Sequence, residues 1–589
     1  MNRTILFSGI MLTLPILHSC KTKPGSESRL HEPNVLVILT DDQGWGDVHI
    51  NGNDTIDTPN LDRLASESFR FKRFYVSPVC APTRASLLTG RYHLRTGVNG
   101  VTSRKEVMRT NEYTLGEMFT GADYATGYFG KWHNGAQFPN NPRGQGFQHF
   151  FGFCAGHWNN YFDTRLEYNG DMVKTRGYIT DVLTDSVLSF IDDHSYKPFF
   201  TYVAFNTPHS PFQVPDKYFE KYKQRGLNNE KACVYGMVEN LDDNIGRILD
   251  HLDSLDMRDN TIVIFMTDNG PNTWRYNGGM KGKKAWVDEG GVRVPCFMRI
   301  PWMKNNGSTV EAISAHIDIL PTLAELCHLD LPVGLHPDGQ SRLPFLERPD
   351  EHQPGRIIYT DRGLDNLRPA ALRTEKWEIS FKDDTTLYDL SVDPGQKNNV
   401  APYHPALVDS FARLYRIWYR DVTAYGLAAP PIELGYLACP KTYLPAHEAT
   451  LSRNLSFFEG HGWANDWITN FRNIDDTITW NVNVVRDGIY RVSIQMATTP
   501  AEQGKIMELH CGKAFAMTAI DKTYTAVPVP SPDRLPRQEA YGKVWPELIM
   551  DSIPLYKGAA NMKLCTADMN SGQGMEVKGI YVELIKENN

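Results

Sequence analysis

The sequence predicts an α/β protein followed by an all-β unit, and two changes of pattern along the chain predict this division. From Asn34 to about Tyr425, short apolar β-branched runs alternate with amphipathic helical stretches, which is typical of an α/β domain. From about Leu451, apolar and polar residues alternate with period two between turns such as Arg486-Asp487-Gly488, which favours a β-sandwich over 451–589. The segment 426–450 contains four prolines and is predicted to be a linker.

Within the α/β part, apolar runs predict buried strands at 35–39, 126–130, 199–205 and 261–266. Helices are predicted at 58–67, 178–193 and 233–255. Extended runs at 371–381 and 386–390, followed by a helix at 405–419, indicate a smaller unit. We therefore expect a larger subdomain at 34–345 and a smaller one at 346–425.

The first residues of the chain have the pattern of an export signal. Arg3 precedes an apolar run at 5–17, which is too short to span a bilayer. The run ends in Leu17-His18-Ser19-Cys20, which resembles the lipobox of bacterial lipoproteins, in which the cysteine is lipidated. We therefore expect a signal peptide at 1–19, lipidation of Cys20 and a tether at 20–33. Secretion without a lipid and an uncleaved anchor are the alternatives.

This reading places the protein in the periplasm or on the outer membrane, with a lipid anchor as its only membrane contact. The net charge of −8 does not favour nucleic acid as a partner. The nine cysteines form no CxxC or Cys/His cluster, so zinc is not indicated. Cys511 and Cys565 either pair or are two buried strand cysteines, and we favour the second interpretation.

Reactive side chains follow each of the four predicted strands. They are Asp41-Asp42, Lys131-Trp132-His133, Pro208-His209 and Asp268-Asn269. Ligands of open α/β sheets bind beyond the carboxyl ends of the strands, so these groups are expected to converge on one pocket. The acidic and amide oxygens suit calcium or magnesium. Taken alone, the Asp41-Asp42 pair is also compatible with loop capping.

The most specific segment is Cys80-Ala81-Pro82-Thr83-Arg84, with Leu88-Thr89-Gly90 after it. It resembles the signature of the formylglycine-dependent type I sulfatases, which belong to the alkaline-phosphatase superfamily. In that family a dedicated formylglycine-generating enzyme oxidises the cysteine to an aldehyde during export. Thr83 stands where many members have Ser.

The resemblance extends over about residues 34–425. Further matches are Gly130-Lys131-Trp132-His133, Pro208-His209-Ser210-Pro211, Lys284 with Glu289-Gly290-Gly291-Val292-Arg293-Val294-Pro295, and Leu387-Tyr388-Asp389-Leu390. Asn134 departs from the family, which usually has Leu there. The resemblance implies a mixed sheet between helices and a small α+β subdomain after it.

The resemblance also implies a metal site and a mechanism. The metal ligands would be Asp41, Asp42, Asp268 and Asn269, with the converted Cys80 against the same ion. The ion would be Ca²⁺, with Mg²⁺ as the alternative. A hydrated aldehyde at position 80 would attack sulfur while the ion lowers the pKa of its hydroxyl.

The remaining catalytic residues take their roles from the same resemblance. Arg84 would steady the hydrate, and Lys131 and Lys284 would neutralise the sulfate. His209 would protonate the leaving alcohol, and His133 would take a proton from the second hydroxyl. Taken alone, His133 is also compatible with a buried histidine without a chemical role.

Contacts to the rest of the substrate are less specific in the sequence. Trp158, Asn159, Trp274 and Arg275 combine stacking surfaces with polar donors, although each is also compatible with packing. The unit at 451–589 is either a carbohydrate-binding module, with Trp463, Trp467 or Trp480 as platforms, or a structural accessory. We favour the accessory role.

The sequence thus predicts a hydrolase of sulfate esters on sulfated glycans, acting from the chain end on a sugar such as galactose or N-acetylgalactosamine. A phosphate or phosphonate ester hydrolase of the same superfamily is one alternative. A non-catalytic glycan-binding surface lipoprotein is the other, and the intact set of catalytic residues argues against it.

Overall fold

The computed structural model describes residues 32–362, 369–567 and 574–587. The predicted signal peptide, the lipidation site Cys20 and nearly all of the tether lie outside these ranges. Within them, no helix combines the length and the apolar character that crossing a membrane requires.

A ten-stranded sheet organises the first part of the chain. Its spatial order is Thr309–Val310, Phe69–Phe71, Cys296–Arg299, Thr261–Thr267, Asn34–Thr40, Phe199–Ala204, Ala125–Lys131, His149–Phe153, Arg165–Tyr168 and Asp171–Lys174. The five strands from Thr261–Thr267 to His149–Phe153 are parallel, and the neighbours on either side are antiparallel to them. The predicted α/β fold with a mixed sheet is confirmed.

Helices cover both faces of this sheet, which explains its continuous apolar strands. Alternate residues of Asn34–Thr40 belong to different cores, with Val35 on one face and Leu36 on the other. The helices of the α/β part are Pro59–Ser66, Cys80–Thr89, Leu115–Gly121, Ile179–Asp193, Asp216–Gln224, Asn229–Ser254, Glu289–Val292, Ile319–Leu326 and Leu343–Glu347. The three helices predicted from the sequence for this part are all present, with boundaries shifted by no more than four residues.

A smaller antiparallel sheet follows. Its strands, in order, are Ile358–Asp361, Ala370–Arg373, Trp377–Phe381 and Thr385–Asp389. The helix Pro405–Val422 covers it through Phe411, Tyr415 and Trp418. A three-stranded sheet of Arg293–Val294, Phe74–Tyr75 and Ser314–Ala315 contributes Tyr75 and Ala315 to the same core.

The C-terminal part is all-β, as predicted, and is built on two large sheets. One contains Ile432–Leu434, Ile478–Val484, Gly558–Thr566, Ile506–Cys511 and Ala514–Ala519, with Thr450–Leu451 beside the second of these. The other contains Ser456–Phe457, Ile468–Phe471, Met575–Glu587, Gly488–Ala497 and Glu547–Ile549, with Lys441–Pro445 and Ile553–Leu555 paired at its side. Alternate residues of both sheets form one apolar core, in which Trp480 is fully buried. A two-stranded ribbon pairs Val527–Pro528 with Lys543–Val544.

The segment expected to be a linker is instead part of this all-β unit. Ile432–Leu434 pairs with Ile478–Val484, and Lys441–Pro445 pairs with Met575–Glu587. The prolines that suggested a linker stand beside these short strands or at the end of one, positions where proline is tolerated in a sheet. Cys511 and Cys565 are free, buried thiols, in agreement with the favoured interpretation.

The all-β unit packs against the carboxyl end of the ten-stranded sheet at two places. On one side, Arg104 donates to the Glu448 carboxylate at 2.6 Å and to the Pro430 carbonyl at 2.8 Å. On the other, Gln213 donates to Asp533 at 2.7 Å and Arg537 donates to the Asn159 carbonyl at 2.7 Å. The unit therefore contacts the edge of the sheet at which the predicted reactive groups lie.

Candidate active site

The adjacent parallel strands Asn34–Thr40 and Thr261–Thr267 bring the two predicted acidic segments together. Thr40 is paired with Thr267, so the residues that follow each strand become neighbours. The backbone N–H of Asp42 donates to Asp268 Oδ1 at 3.2 Å, and Asn269 Nδ2 donates to Asp42 Oδ1 at 2.7 Å. Three carboxylates and an amide thus meet in one fully buried cluster.

Lysine and arginine side chains surround these carboxylates. Lys131, the last residue of Ala125–Lys131, donates from Nζ to Asp41 Oδ2 at 2.5 Å. Arg84 donates to Asp268 Oδ2 from Nε at 3.2 Å and from Nη2 at 2.8 Å. Its Nη1 donates to the Lys131 carbonyl at 2.7 Å, so Arg84 ties two strand ends together.

Cys80 is the first residue of the helix Cys80–Thr89, whose ten residues are all buried. The Thr83 hydroxyl accepts from the Ser77 N–H at 3.0 Å and donates to the Ser77 carbonyl at 3.1 Å, which fixes the turn that leads into Cys80. A hydroxyl makes these two bonds, which explains why Thr and Ser can both stand here. Cys80 is close enough to Asp268 and Lys284 to influence the pKa of each.

Lys284 and His209 lie on the other side of the cluster, against Asp42. Lys284 Nζ lies 2.7 Å from Asp42 Oδ1, and His209 Nε2 lies 3.8 Å from Asp42 Oδ2. The His209 Nδ1 atom lies 2.7 Å from the Ser210 carbonyl oxygen. Because a carbonyl can only accept, Nδ1 carries a proton and Nε2 faces the cluster.

His133 has the opposite orientation. Its Nε2 donates to the Val101 carbonyl at 2.9 Å, and its buried Nδ1 has no hydrogen-bond partner among the described residues. Burial, helped by Lys131, holds the pKa of His133 well below its ordinary value, so the ring is neutral with a free lone pair on Nδ1. Gly156 lies against this ring: a β-carbon there would come within 2.3 Å of His133 Nε2.

The charges of the cluster shift the pKa values of its three carboxylates in different directions: burial and the neighbouring Asp41 raise the pKa of Asp268 well above its ordinary value, whereas those of the other two fall. Burial opposes ionisation of Asp41, but Lys131, His209 and Arg84 outweigh it, and its pKa lies well below the ordinary range. The pKa of Asp42 is also lowered, because Lys284 and His209 overcome its burial. Despite burial, Asp42 and Cys80 raise the pKa of Lys284, so this ammonium stays charged.

Several atoms of the cluster are suited to a hard cation. Asp41 Oδ1 and Asn269 Oδ1 are buried without a hydrogen-bond partner in the described part of the chain. One ligand atom each from Asp41, Asp42 and His209 lies within 4.8 Å of the others. Unpaired buried oxygens are costly in an apolar interior and are the ligands that calcium prefers. The predicted ligand set therefore fits an oxygen-coordinated divalent ion.

Of the four residues suggested for substrate contacts, only Arg275 touches the cluster, and its guanidinium is already engaged by protein groups. Trp158 stacks on Phe153 and donates from its indole to Thr164 at 2.8 Å, while the Asn159 side chain accepts from Arg537 at 2.6 Å. The Arg275 guanidinium is buried and donates to Asp47 at 2.7 Å and to the Asp42 carbonyl at 2.8 Å. Trp274 is 61% exposed. Protein groups therefore occupy the polar atoms of three of these residues.

A second group of residues also lies at this site, and sequence reasoning did not bring its members together, although Trp463 was considered as a sugar platform. His157 lies beside His209, with parallel rings whose centroids are 6.4 Å apart, and Trp463 of the all-β unit contacts His157. Glu539, also of the all-β unit, accepts a hydrogen bond from Ser210, the residue after His209. Because these segments lie so far apart along the chain, no spacing or motif in the sequence predicts that they meet.

Comparison with known proteins finds a matching family model and similar sequences. The family model described as sulfatase matches residues 33–329. Arylsulfatase J of Mus musculus is 31% identical over 328 residues, which cover 52% of this chain and 54% of that protein. The N-acetylgalactosamine-6-O-sulfatase of Bacteroides thetaiotaomicron is 28% identical over 507 residues, covering 69% of this chain and 97% of that protein.

A solved structure is also similar to this chain. The structure of Ps i-CgsB in complex with k-i-k-neocarrahexaose has a TM-score of 0.63 and 30% identity to this chain, and the match covers 66% of this chain and 93% of that one. The chain spans about half the length of the mouse relative. The matching family model ends before the all-β unit begins.

Proposed function

The chain belongs to the sulfatase family, and we propose that it hydrolyses sulfate esters on sulfated glycans, with a formylglycine made from Cys80 and a bound Ca²⁺. The observation that carries this proposal is the convergence of the reactive groups at one sheet edge. Cys80, three carboxylates, three cationic side chains and two histidines of opposite orientation meet there.

Asp41, Asp42, Asp268 and Asn269 would hold the calcium ion. When bound, the ion supplies positive charge that lowers the pKa of a coordinated hydroxyl and stabilises negative charge on the sulfuryl oxygens. Mg²⁺ is the alternative occupant, although it demands a more regular octahedral ligand set than calcium does.

The cationic side chains would bind and orient the sulfate group. Lys131 and Lys284 lie on opposite sides of the carboxylate cluster, each within 3 Å of an aspartate oxygen. Both can therefore reach an anion placed over the cluster. Arg84 donates all of its observed hydrogen bonds to Asp268 and Lys131, so we assign it the positioning of these two groups.

The two histidines would move protons in opposite directions. His209 presents Nε2 towards the cluster and, when protonated, can donate to the oxygen of the leaving alcohol. His133 is neutral and presents the lone pair of Nδ1, so it can accept a proton. One acid and one base at fixed positions are what an ester cleavage with a recycled nucleophile requires.

The aldehyde at position 80 supplies two hydroxyls when hydrated, one to attack sulfur and one to release the sulfate afterwards. Its formation depends on a formylglycine-generating enzyme as a maturation partner. We propose that the protein is exported, because its N-terminal segment has the pattern of a lipoprotein signal.

The substrate is proposed to be a sulfated sugar at a chain end, galactose or N-acetylgalactosamine. The name of the Bacteroides thetaiotaomicron relative supports N-acetylgalactosamine sulfated at O6, and the k-i-k-neocarrahexaose in the complex with Ps i-CgsB supports an oligosaccharide as the substrate class.

The test is sulfate release from a panel of sulfated galactose and N-acetylgalactosamine mono- and disaccharides, with Ca²⁺ present and position 80 checked by peptide mass. Cys80→Ala is the blank. Release from one sugar at one position is the expected result. Faster cleavage of 4-nitrophenyl phosphate than of any sulfate ester would overturn the proposal and favour a phosphate ester hydrolase.

A further inference from the structure

Four aromatic rings form a row that leads from the candidate acid to the all-β unit. His209 and His157 have parallel rings 6.4 Å apart, and the His157 ring meets the Trp463 ring edge-on at 6.3 Å. Trp463 in turn stacks on His461 at 4.3 Å, with 15° between the ring planes. We call these four residues the ring row. Its first half belongs to the α/β part and its second half to the all-β unit.

Hydrogen bonds from both parts of the chain hold the loop that carries Trp463. Thr102 donates to the Gly462 carbonyl at 2.7 Å, and the Gly462 N–H donates to Asp466 at 3.2 Å. Lys578 donates to the Ala464 carbonyl at 3.1 Å. The loop that carries Trp463 is therefore preorganised, which reduces the conformational entropy that the protein would lose when a ligand binds there.

Trp463 differs from the two other tryptophans considered as sugar platforms. Trp480 is fully buried and Trp467 is 2% exposed, so both belong to the interior of the all-β unit. Trp463 is only half-buried, and the neighbouring His461 is exposed. Trp463 is thus the one member of this trio that has an accessible surface next to the candidate site.

We propose that Trp463 and His461 form a subsite for the sugar next to the one that carries the scissile sulfate. The inference rests on the proposed function. His157 lies beside the candidate acid, where the sulfated sugar would be bound, and Trp463 lies one ring farther out. An indole binds the apolar face of a pyranose, and imidazole nitrogens bind its hydroxyls.

His157, at the contact between the two parts, adds a polar group to this subsite. The buried Nε2 of His157 has no hydrogen-bond partner in the described residues. A buried polar atom without a partner is unfavourable, and a sugar hydroxyl would satisfy it. Because 461 and 463 lie outside the span of the family model, the subsite is a property of this chain's appended unit.

The first experiment compares substrates of different length with Trp463→Ala. Rates are measured on the sulfated monosaccharide, the matching disaccharide and 4-nitrophenyl sulfate. On the disaccharide we expect KM to rise about tenfold or more with kcat nearly unchanged, because a subsite that binds ground state and transition state equally affects KM. The other two substrates should change less than twofold. His461→Ala should give a smaller effect of the same kind.

Trp302→Ala is the matched control. Trp302 is 42% exposed and follows Cys296–Arg299, which runs antiparallel to Thr261–Thr267 and so ends at the opposite edge of the sheet. Equal losses on all three substrates for Trp463→Ala, with a lowered thermal midpoint, would show that Trp463 only packs the two parts together and would overturn the subsite.

A binding measurement keeps the inference separate from the proposed function. Tetrasaccharides of chondroitin sulfate and of carrageenan are titrated by calorimetry into Cys80→Ala and into Cys80→Ala/Trp463→Ala. Binding that is at least about tenfold weaker in the double variant supports the subsite even if turnover is absent. Equal binding, or no binding to either protein, contradicts it whatever the wild-type enzyme releases.

Discussion

The two large β regions of this protein bury charged side chains in opposite ways. At the carboxyl edge of the ten-stranded sheet, buried ion pairs join segments that lie far apart in sequence. Asp41 pairs with Lys131, and Asp268 pairs with Arg84. In the all-β unit, buried Asp476 accepts from the backbone N–H groups of Arg472 and Asn473 in its own turn. A buried carboxylate satisfied by its own turn serves the fold, whereas a buried cluster of several charges that leaves Asp41 Oδ1 and Asn269 Oδ1 unpaired among the described residues is suited to chemistry.

Cys80→Ser gives the largest expected effect on the first region. A serine sulfate ester lacks the second hydroxyl that would expel sulfate, so turnover should fall on the order of 10⁴-fold. Intact mass after incubation with substrate should show one added sulfo group on the protein. Thr83→Ser, which keeps the hydroxyl bonded to Ser77, is the matched control and should retain activity. A Cys80→Ser protein that turns over at the wild-type rate would contradict the proposed nucleophile.

Removal of calcium should give the next largest effect. Chelation should lower the rate on the order of 10²-fold or more, because the positive charge that would lower the pKa of the nucleophile and stabilise the sulfuryl oxygens is lost. Added Ca²⁺ should restore the rate and also raise the thermal midpoint, since binding to the folded state alone stabilises it. An unchanged midpoint and rate after exhaustive chelation would exclude an ion at this cluster.

Glu539→Gln tests a residue of the second region that contacts the first. Glu539 accepts from Ser210, whose carbonyl orients His209 through Nδ1. We expect kcat to fall about tenfold on every substrate, as for other groups that orient a reacting side chain. Glu547→Gln, which makes the same change at the acceptor of the Ser493 hydroxyl within the all-β unit, should leave kcat unchanged. A double variant with Ser210→Ala should be no worse than either single one.

Asp476→Ala should affect stability and leave the active enzyme's rate intact. The substitution leaves two backbone donors and the Asn454 amide without their acceptor, which costs about 1–3 kcal/mol of unfolding free energy. Asp475→Ala, at the exposed neighbouring position, should change neither property. The contrast between the two regions breaks down if kcat/KM of the folded Asp476→Ala protein drops as much as its stability does.

The smallest effect concerns Lys578, which holds the Trp463 loop. Burial lowers the pKa of Lys578 from 10.5 to about 8, so between these values the unfolded chain binds more protons than the folded one. Wild type should therefore gain stability relative to Lys578→Met as pH rises from 8 towards 10. Thermal midpoints of both proteins across this range provide the measurement, and Lys586→Met, at an exposed position, should show no such trend.

Local sequence was sufficient to predict the strand ends and the approach of the side chains that follow them. Buried parallel strands are continuous apolar runs, and the residues after them lie at one edge of the sheet, so Asp41 and Asp268 could be placed together. Arg275 shows where this reasoning fails. Its partner Asp47 lies in the loop after Asp42, and only the folded loop reveals that the guanidinium is already engaged.

Contacts between the two parts were beyond sequence reasoning for a different reason. Trp463 meets His157 because two loops, each without regular periodicity, are held against each other by the packing of whole units. The segment predicted to be a linker was misjudged for the same reason. Its strands Ile432–Leu434 and Lys441–Pro445 pair with strands that lie far along the chain. Pairing over such separations depends on the assembled sheets rather than on composition.

The burial of Cys80 has a consequence for the timing of maturation. The residue is 4% exposed and begins a helix that is buried along its whole length, so a modifying enzyme has no access to it in the folded protein. The proposed conversion would therefore compete with folding, and the fraction of active molecules would depend on the ratio of the two rates. Variants that fold faster would then contain a smaller fraction of converted, active molecules without any change in the active site itself.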